Sequence, residues 1–255
     1  MSKPSLVFAG NRRIGLHCLR LLLDADWPPV ALMIPTGQKA ECVQEMKALL
    51  PDVPVLEGTT FRKPKGLSVL RGLGPDYIVS VHFPYIIPPE VLEIPRIGVL
   101  NLHPAYLPYN RGWHTPSWAI IEGTPYGATL HWVDEGLDTG DIALRREVPI
   151  LPSDTAHTLY QRVLAAEAEL FREAIPLMMS RALPRIPQTG KATTHRKEDL
   201  ASIQHLDLEA TAKVGDIVNL LRGLTTNRWD EAAWFEVDGV RYRIRVEIKR
   251  EGEDE

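Results

Sequence analysis

Hydrophobic positions follow two periods along the first part of the chain. Short apolar runs, SLVFAG (5–10), PVALMI (29–34), DVPVL (52–56), DYIVSV (76–81) and IGVLNLH (97–103), alternate with stretches such as IGLHCLRLLLDA and AECVQEMKALL, whose apolar residues recur every three or four positions. Compact apolar runs read as strands buried on both faces, and the 3.6-residue period reads as amphipathic helix. Alternation of the two predicts a parallel sheet covered on both sides.

Beyond residue 103 the pattern changes. PSWAIIEG reads as a short helix, YGATLHWV and IALRREVPI as strands joined by EGLDTGD, so a hairpin-like addition extends the sheet. SDTAHTLYQRVLAAEAELFREAIPLMM starts at a Ser/Asp cap and keeps helical spacing, which predicts one long helix. Residues 184–200, PRIPQTGKATTHRKEDL, read as a linker or surface excursion. LEATAKVGDIVNLLRGL is helical in period, and AAWFEVDGVRYRIRVEI predicts a hairpin turning at Asp238-Gly239. The expectation is an α/β, Rossmann-like, mostly parallel sheet over residues 1–183 and a small C-terminal helix and β-hairpin unit over 184–255.

At 255 residues the chain can bury a large core without staples. Its two cysteines, Cys18 and Cys42, lie far apart without CxxC spacing and without a secretory signal, so they read as buried, reduced thiols of a cytoplasmic protein. No apolar run approaches the roughly 20 residues of a membrane span. A net charge of -4 and the acidic ending EGEDE speak against a nucleic-acid partner, whose phosphates demand a basic face. The eight histidines are scattered and none forms HExxH, so no metal is expected. There is no GxSxG elbow.

Chemistry concentrates at the end of the fifth apolar run. Asn101 and His103 alternate with Leu100 and Leu102, which puts the amide and the imidazole on one face of a strand at its carboxyl end, where open α/β sheets bind ligands. Both groups can donate hydrogen bonds to a developing oxyanion, and the imidazole can also move a proton. By itself such a pair would be a capped strand end. A second stretch, GATLHWVDEGLDTGDI, gathers Asp134, Glu135 and Asp138 in a glycine-containing loop, and a carboxylate near His103 would orient its ring. The first βα turn, FAGNRRIG, carries Arg12 and Arg13 at a helix start but matches neither GxGxxG nor a Walker loop.

Asn101-Leu102-His103-Pro104, continuing through Leu107-Pro108 to Arg111-Gly112 and Pro116, together with Gly127-Ala128-Thr129 and Asp134-Glu135-Gly136-Leu137-Asp138-Thr139-Gly140, resembles the formyltransferase family that uses 10-formyltetrahydrofolate. The likeness runs over roughly residues 5 to 180. It implies a catalytic set of Asn101, His103 and Asp138: a neutral amine attacks the formyl carbon, Asn101 and His103 stabilise the tetrahedral oxyanion, and a proton passes toward the departing folate nitrogen. It also implies a pterin cleft between Phe83, Pro84, Tyr85, Ile86 and Ile87 on one side and Val133, Asp134, Glu135, Gly136 and Leu137 on the other. No metal is implied.

Within that family the stretch from Pro104 to Trp113, PAYLPYNRGW, is closest to sugar N-formyltransferases. The implied acceptor is a nucleotide-linked amino-deoxysugar, such as a thymidine or uridine diphosphate 4-amino sugar, for cell-surface polysaccharide such as lipopolysaccharide O-antigen. Tyr109, Asn110, Arg111, Trp113 and His114 are the sugar-side candidates, and Arg12 and Arg13 the diphosphate candidates. Trp229 and Trp234 could stack on a base or a partner subunit, or simply pack. A homodimer through the C-terminal unit is expected. The other readings are a formyltransferase for methionyl-tRNA or another small amine, and a folate or nucleotide binding module without turnover; the intact Asn101, His103 and Asp138 argue against the last.

Overall fold

The computed structural model describes residues 3–252. The first strands are β1 (Leu6–Gly10), β2 (Ala31–Ile34), β3 (Val55–Glu57), β4 (Tyr77–Val81) and β5 (Gly98–His103), with helices α1 (Arg12–Asp24), α2 (Val43–Leu49), α3 (Pro64–Leu73) and the short α4 (Pro89–Leu92) between them. Then come β6 (Arg111–Gly112), α5 (Thr115–Glu122), β7 (Gly127–Trp132), β8 (Ile142–Glu147), α6 (Ala156–Met179), β9 (Thr194–His195), α7 (Asp199–Ser202), α8 (Val214–Leu224), β10 (Ala233–Val237) and β11 (Val240–Ile244). The predicted alternation is present, and each apolar run became a strand.

The seven-stranded sheet has the order β3-β2-β1-β4-β5-β7-β8. Strands β1 to β5 are parallel to their neighbours, and β7 joins β5 antiparallel, with Asn101 opposite His131 and His103 opposite Thr129. Strand order reverses between β1 and β4, the position at whose carboxyl ends such sheets seat ligands. The central strands β1 and β4 are buried at every position. That explains why they read as unbroken apolar runs rather than alternating ones.

Two compact units divide the chain. One contains the chain up to His103, Thr129–Arg145 and Glu167–Gln188; the other contains Pro104–Ala128, Arg146–Ala166 and the chain from Thr189 onward. In the first unit Val7, Ala9, Met33, Phe61, Ile78, Val91 and Val99 form a core cluster. In the second, α5 packs on α8, and Trp118, Leu200, Leu224 and Ala233 form its cluster. The hairpin β10–β11 turns at Asp238 (φ 50) and Gly239 (φ 75), the two positive φ angles that a type I′ turn requires.

Three expectations change. The long helix is capped not by Ser153 or Asp154 but by Thr155 and Thr158, each donating its backbone N–H to the other's hydroxyl. Asp154 instead accepts from the backbone N–H of Leu151 and pairs with Arg162 at 2.6 Å. Residues 184–200 run over the surface, as the second of the two readings has it, but are not a loose linker: Ile186 bridges Ile142 within the first unit, and β9 pairs with β6 within the second. Polar composition hid this, because these contacts run through the backbone. Finally, Cys18 is buried but Cys42 is only half-buried; both are free thiols. The acidic ending lies partly outside the described residues.

A buried carboxylate ties β4 to the chain's start. Asp76 accepts from the backbone N–H of Ser5 (2.8 Å) and from Arg96 Nε (2.9 Å). The Arg96 hydrogen bond holds its carboxyl below the usual carboxylate range. A depressed folded-state pKa means the stabilisation is complete above the unfolded value near 3.9 and is lost as pH falls through the folded value. Arg96 is largely exposed, so solvent screening weakens its share of this gain. Asp76→Asn is therefore expected to lower the urea midpoint at pH 7, with the difference from the unmodified protein narrowing at about pH 3.

Candidate active site

Asn101 and His103 project from the carboxyl end of β5, and the leucines between and before them are buried on the other face. Asn101 is held at both ends of its amide. Its Oδ1 accepts from Ser80 Oγ at 2.8 Å, and its Nδ2 lies 3.3 Å from His131 Nε2. His131 Nδ1 is 2.8 Å from the Trp132 carbonyl, which can only accept, so Nδ1 carries a proton. The amide oxygen faces Ser80 and the nitrogen faces His131. One of its two N–H bonds is then left to meet a ligand oxygen.

Asp138 sits between two imidazoles. Its Oδ2 is 3.6 Å from His103 Nε2, and its Oδ1 is 3.5 Å from His131 Nε2. The two rings stand edge to face with centroids 6.2 Å apart. All three side chains are at most 12% exposed, which strengthens any charge that develops among them. These separations exceed a hydrogen bond, as is common before a substrate closes a catalytic site.

The loop that carries Asp138 is held by side chains at both ends. Asp134 Oδ1 accepts from the Gly136 N–H (3.0 Å) and from Thr139 Oγ1 (2.6 Å), making a tight Asx turn. Asp138 adopts φ 53, and Gln188 Nε2 donates to the carbonyls of Asp138 and Gly140. A Cβ on Gly140 would lie 2.0 Å from the Trp132 carbonyl oxygen, so only glycine lets the loop close against β7.

The segment after β4 forms a wall beside this constellation's strand. Phe83 packs edge-on to Phe61 (5.5 Å) and to Tyr85 (5.3 Å), and Phe83, Tyr85 and Val133 all pack on the core cluster that includes Ile87. Ile87 is itself core, whereas Ile86 and Leu137 are exposed apolar side chains. Pro84 is half-buried, and Asp134, Glu135 and Gly136 are exposed on the loop. Arg12 and Arg13 are exposed at the start of α1, and Arg12 pairs with Glu41 at 3.5 Å.

The other candidates lie in the second unit. Asn110 is fully enclosed, its Nδ2 donating to Thr124 Oγ1 and its backbone N–H to Thr193 Oγ1. Arg111 lies in β6, Tyr109 is half-buried, Trp113 is exposed with the Lys197 ammonium 5.7 Å from its ring, and His114 Nε2 meets the Lys197 carbonyl. Burial pushes the His114 pKa down. Trp234 stacks on His205 and under the Arg241 guanidinium, a packing role, while Trp229 is exposed beside Arg245.

His131, Ser80 and Gln188 were not singled out from sequence. The signal for His131 was its strand parity, since it alternates with Leu130 and Trp132 in a strand beside β5. Nothing in the sequence alone says that it stands opposite Asn101.

Among the described residues, no group of three or more metal-ligating side chains is placed to hold an ion, and no helix is long and apolar enough to cross a membrane.

Residues 28–175 match the model of the formyl transferase family, and residues 199–250 match that of the N-formyltransferase dimerization C-terminal domain. The chain is 32% identical to methionyl-tRNA formyltransferase of Syntrophus aciditrophicus (strain SB), over 88% of this chain and 74% of that one. It is 34% identical to the enzyme of that name from Desulforamulus reducens, over 88% and 72%. In structure it is similar to a 4-N formyltransferase from Francisella tularensis, with TM-score 0.82 and 21% identity over 97% and 98% of the two chains, a likeness of fold. It is also similar to the formyltransferase PseJ from Anoxybacillus kamchatkensis, solved with UDP-4,6-dideoxy-4-formamido-L-AltNAc and tetrahydrofolate, with TM-score 0.57 and 28% identity over 78% and 88%. With the family's model covering more than half of its length, and with identity above 30% to members across most of theirs, the chain belongs to the formyl transferase family.

Proposed function

We propose that the chain moves a formyl group from 10-formyltetrahydrofolate to a primary amine. The observation that carries this reading is the Asn101 amide, held by Ser80 and His131 beside His103 and Asp138, with a second N–H that neither contact uses. The donor supplies the formyl carbon; the chain's residues supply charge stabilisation and proton management. Asn101 Nδ2 and His103 donate to the carbonyl oxygen as it gains negative charge. Asp138, between His103 and His131, orients the imidazoles and holds a water or proton passing from the amine to the leaving nitrogen. Phe83, Tyr85, Ile86 and Leu137 offer apolar and aromatic surface suited to a pterin. PseJ, 28% identical, was solved with tetrahydrofolate.

Two acceptors are supported by different observations. Identity favours methionyl-tRNA, because the relatives at 32–34% carry that name, against the expectation drawn from the motif details. The net charge of -4 gives a tRNA body little to hold. A nucleotide-linked amino sugar is supported by PseJ, by the match of residues 199–250 to the N-formyltransferase C-terminal domain, and by the PAYLPYNRGW stretch. The deciding experiment incubates the protein with 10-formyltetrahydrofolate and either methionyl-tRNA or a panel of UDP- and dTDP-linked amino sugars, following tetrahydrofolate release and acceptor mass. A gain of one formyl on a sugar nucleotide selects the sugar reading, formyl-methionyl-tRNA selects the other, and folate binding without release with every acceptor would make the chain a binding module.

We also infer a homodimer through the C-terminal unit, working in the cytoplasm in keeping with two free thiols. On α8, Val214, Ile217 and Val218 expose an apolar stripe at i, i+3, i+4 spacing. Val218→Asp is expected to shift the protein to monomer in light scattering while leaving circular dichroism unchanged.

A further inference from the structure

A buried histidine–carboxyl contact lies at the start of the proposed cofactor wall, and the transfer chemistry does not use it. His82 is the first residue after β4, and its Nε2 lies 2.9 Å from both carboxylate oxygens of Glu167 on α6. Glu167 is 0% exposed and the His82 side chain 7%. His82 also holds φ 52, a left-handed conformation that non-glycine residues adopt only when their surroundings impose it. A carboxyl group buried without a hydrogen-bond partner is costly, so Glu167 holds its partner at that one place.

We propose that His82 and Glu167 are a positioning pair that fixes the direction in which Phe83–Pro88 leaves the sheet, and thereby shapes the surface that receives the pterin. Two tethers define the segment's start. The Asn11 N–H donates to the carbonyl of Val81, binding the last residue of β4 to the turn after β1. One residue later, Glu167 captures the His82 ring from the helix side. With both tethers in place the backbone is forced through the left-handed turn, and Phe83 and Tyr85 are delivered onto Phe61. Without this tie the turn loses one of the contacts that hold it left-handed, and the aromatic wall loses its register against the strand ends. Neither group needs to touch substrate or cofactor. Their effect acts on donor binding, not on the chemistry at Asn101, His103 and Asp138.

This inference rests on the folate reading, and the test separates the two. Tetrahydrofolate binding is measured by calorimetry, and donor KM and kcat by steady-state kinetics, for the unmodified protein, for E167Q, and for the double variant H82N/E167L. The double variant removes the tie, keeps a residue tolerant of positive φ at position 82, and leaves no buried charge to unfold the protein. The expected result is a rise of about tenfold or more in donor KM and in tetrahydrofolate Kd for H82N/E167L, with kcat at saturating donor within about threefold. E167Q, which still accepts from Nε2, should recover most of the affinity. Unchanged donor KM and Kd in a folded double variant, or equal losses in kcat and in acceptor KM, would overturn the positioning role. If the unmodified protein itself binds no tetrahydrofolate, the folate reading is what fails.

Discussion

Asn101→Ala is expected to lower kcat/KM for formyl transfer by about 10²- to 10³-fold, the usual cost of losing one oxyanion donor. Donor affinity should hold within about threefold, because the amide's contribution exists only once the carbonyl oxygen gains charge. The structure sharpens the expectation. Ser80 and His131 fix the amide nitrogen toward the site, so the enzyme spends no reorganisation on aiming it. Ser80→Ala should then cost far less, about tenfold, since the donor remains and only its orientation loosens. Rapid-quench measurement of single-turnover transfer separates the chemical step from product release. Turnover of Asn101→Ala within threefold of the unmodified enzyme would remove Asn101 from the mechanism.

How far the sequence reveals which candidate residues stand together depends on the range of the interaction. Asn101 and His103 were legible because strand parity is local: two residues apart, same face, carboxyl end. Asp138 was legible only through the likeness of its loop to a family motif, because no local rule brings residue 138 beside residue 103. His131 escaped because its role depends on β7 pairing antiparallel with β5 in one register, Asn101 against His131, and a slip of one residue would turn it to the opposite face. Gln188 escaped because proline, glycine and polar neighbours look like a linker, while its work is done by two backbone carbonyls it caps from afar. The strands β1 and β4 were the easiest elements of all, since burial on both faces leaves little but apolar residues to read.

Asp138→Asn should produce the other large loss, about 10²- to 10⁴-fold in kcat, the range spanned by positioned acid–base groups. Asparagine is the informative choice. Position 138 sits at φ 53, which asparagine accepts and alanine resists, and the loop is held through the main-chain carbonyl of Asp138 and the side chain of Asp134, neither of which changes. What is lost is one negative charge between two imidazoles, 3.6 Å from His103 and 3.5 Å from His131. If that charge serves only to stiffen the loop, Asp138→Asn keeps near-normal kcat. If it manages the proton, kcat falls while donor KM stays, and adding Asn101→Ala to the same chain costs less than the two separate losses multiplied together. Such shortfall is the mark of groups that act on one transition state, because removing either already dismantles what the other completes. Full multiplication of the two effects would instead mean that amide and carboxylate work on separate steps, and the shared site drawn around His103 would have to be divided.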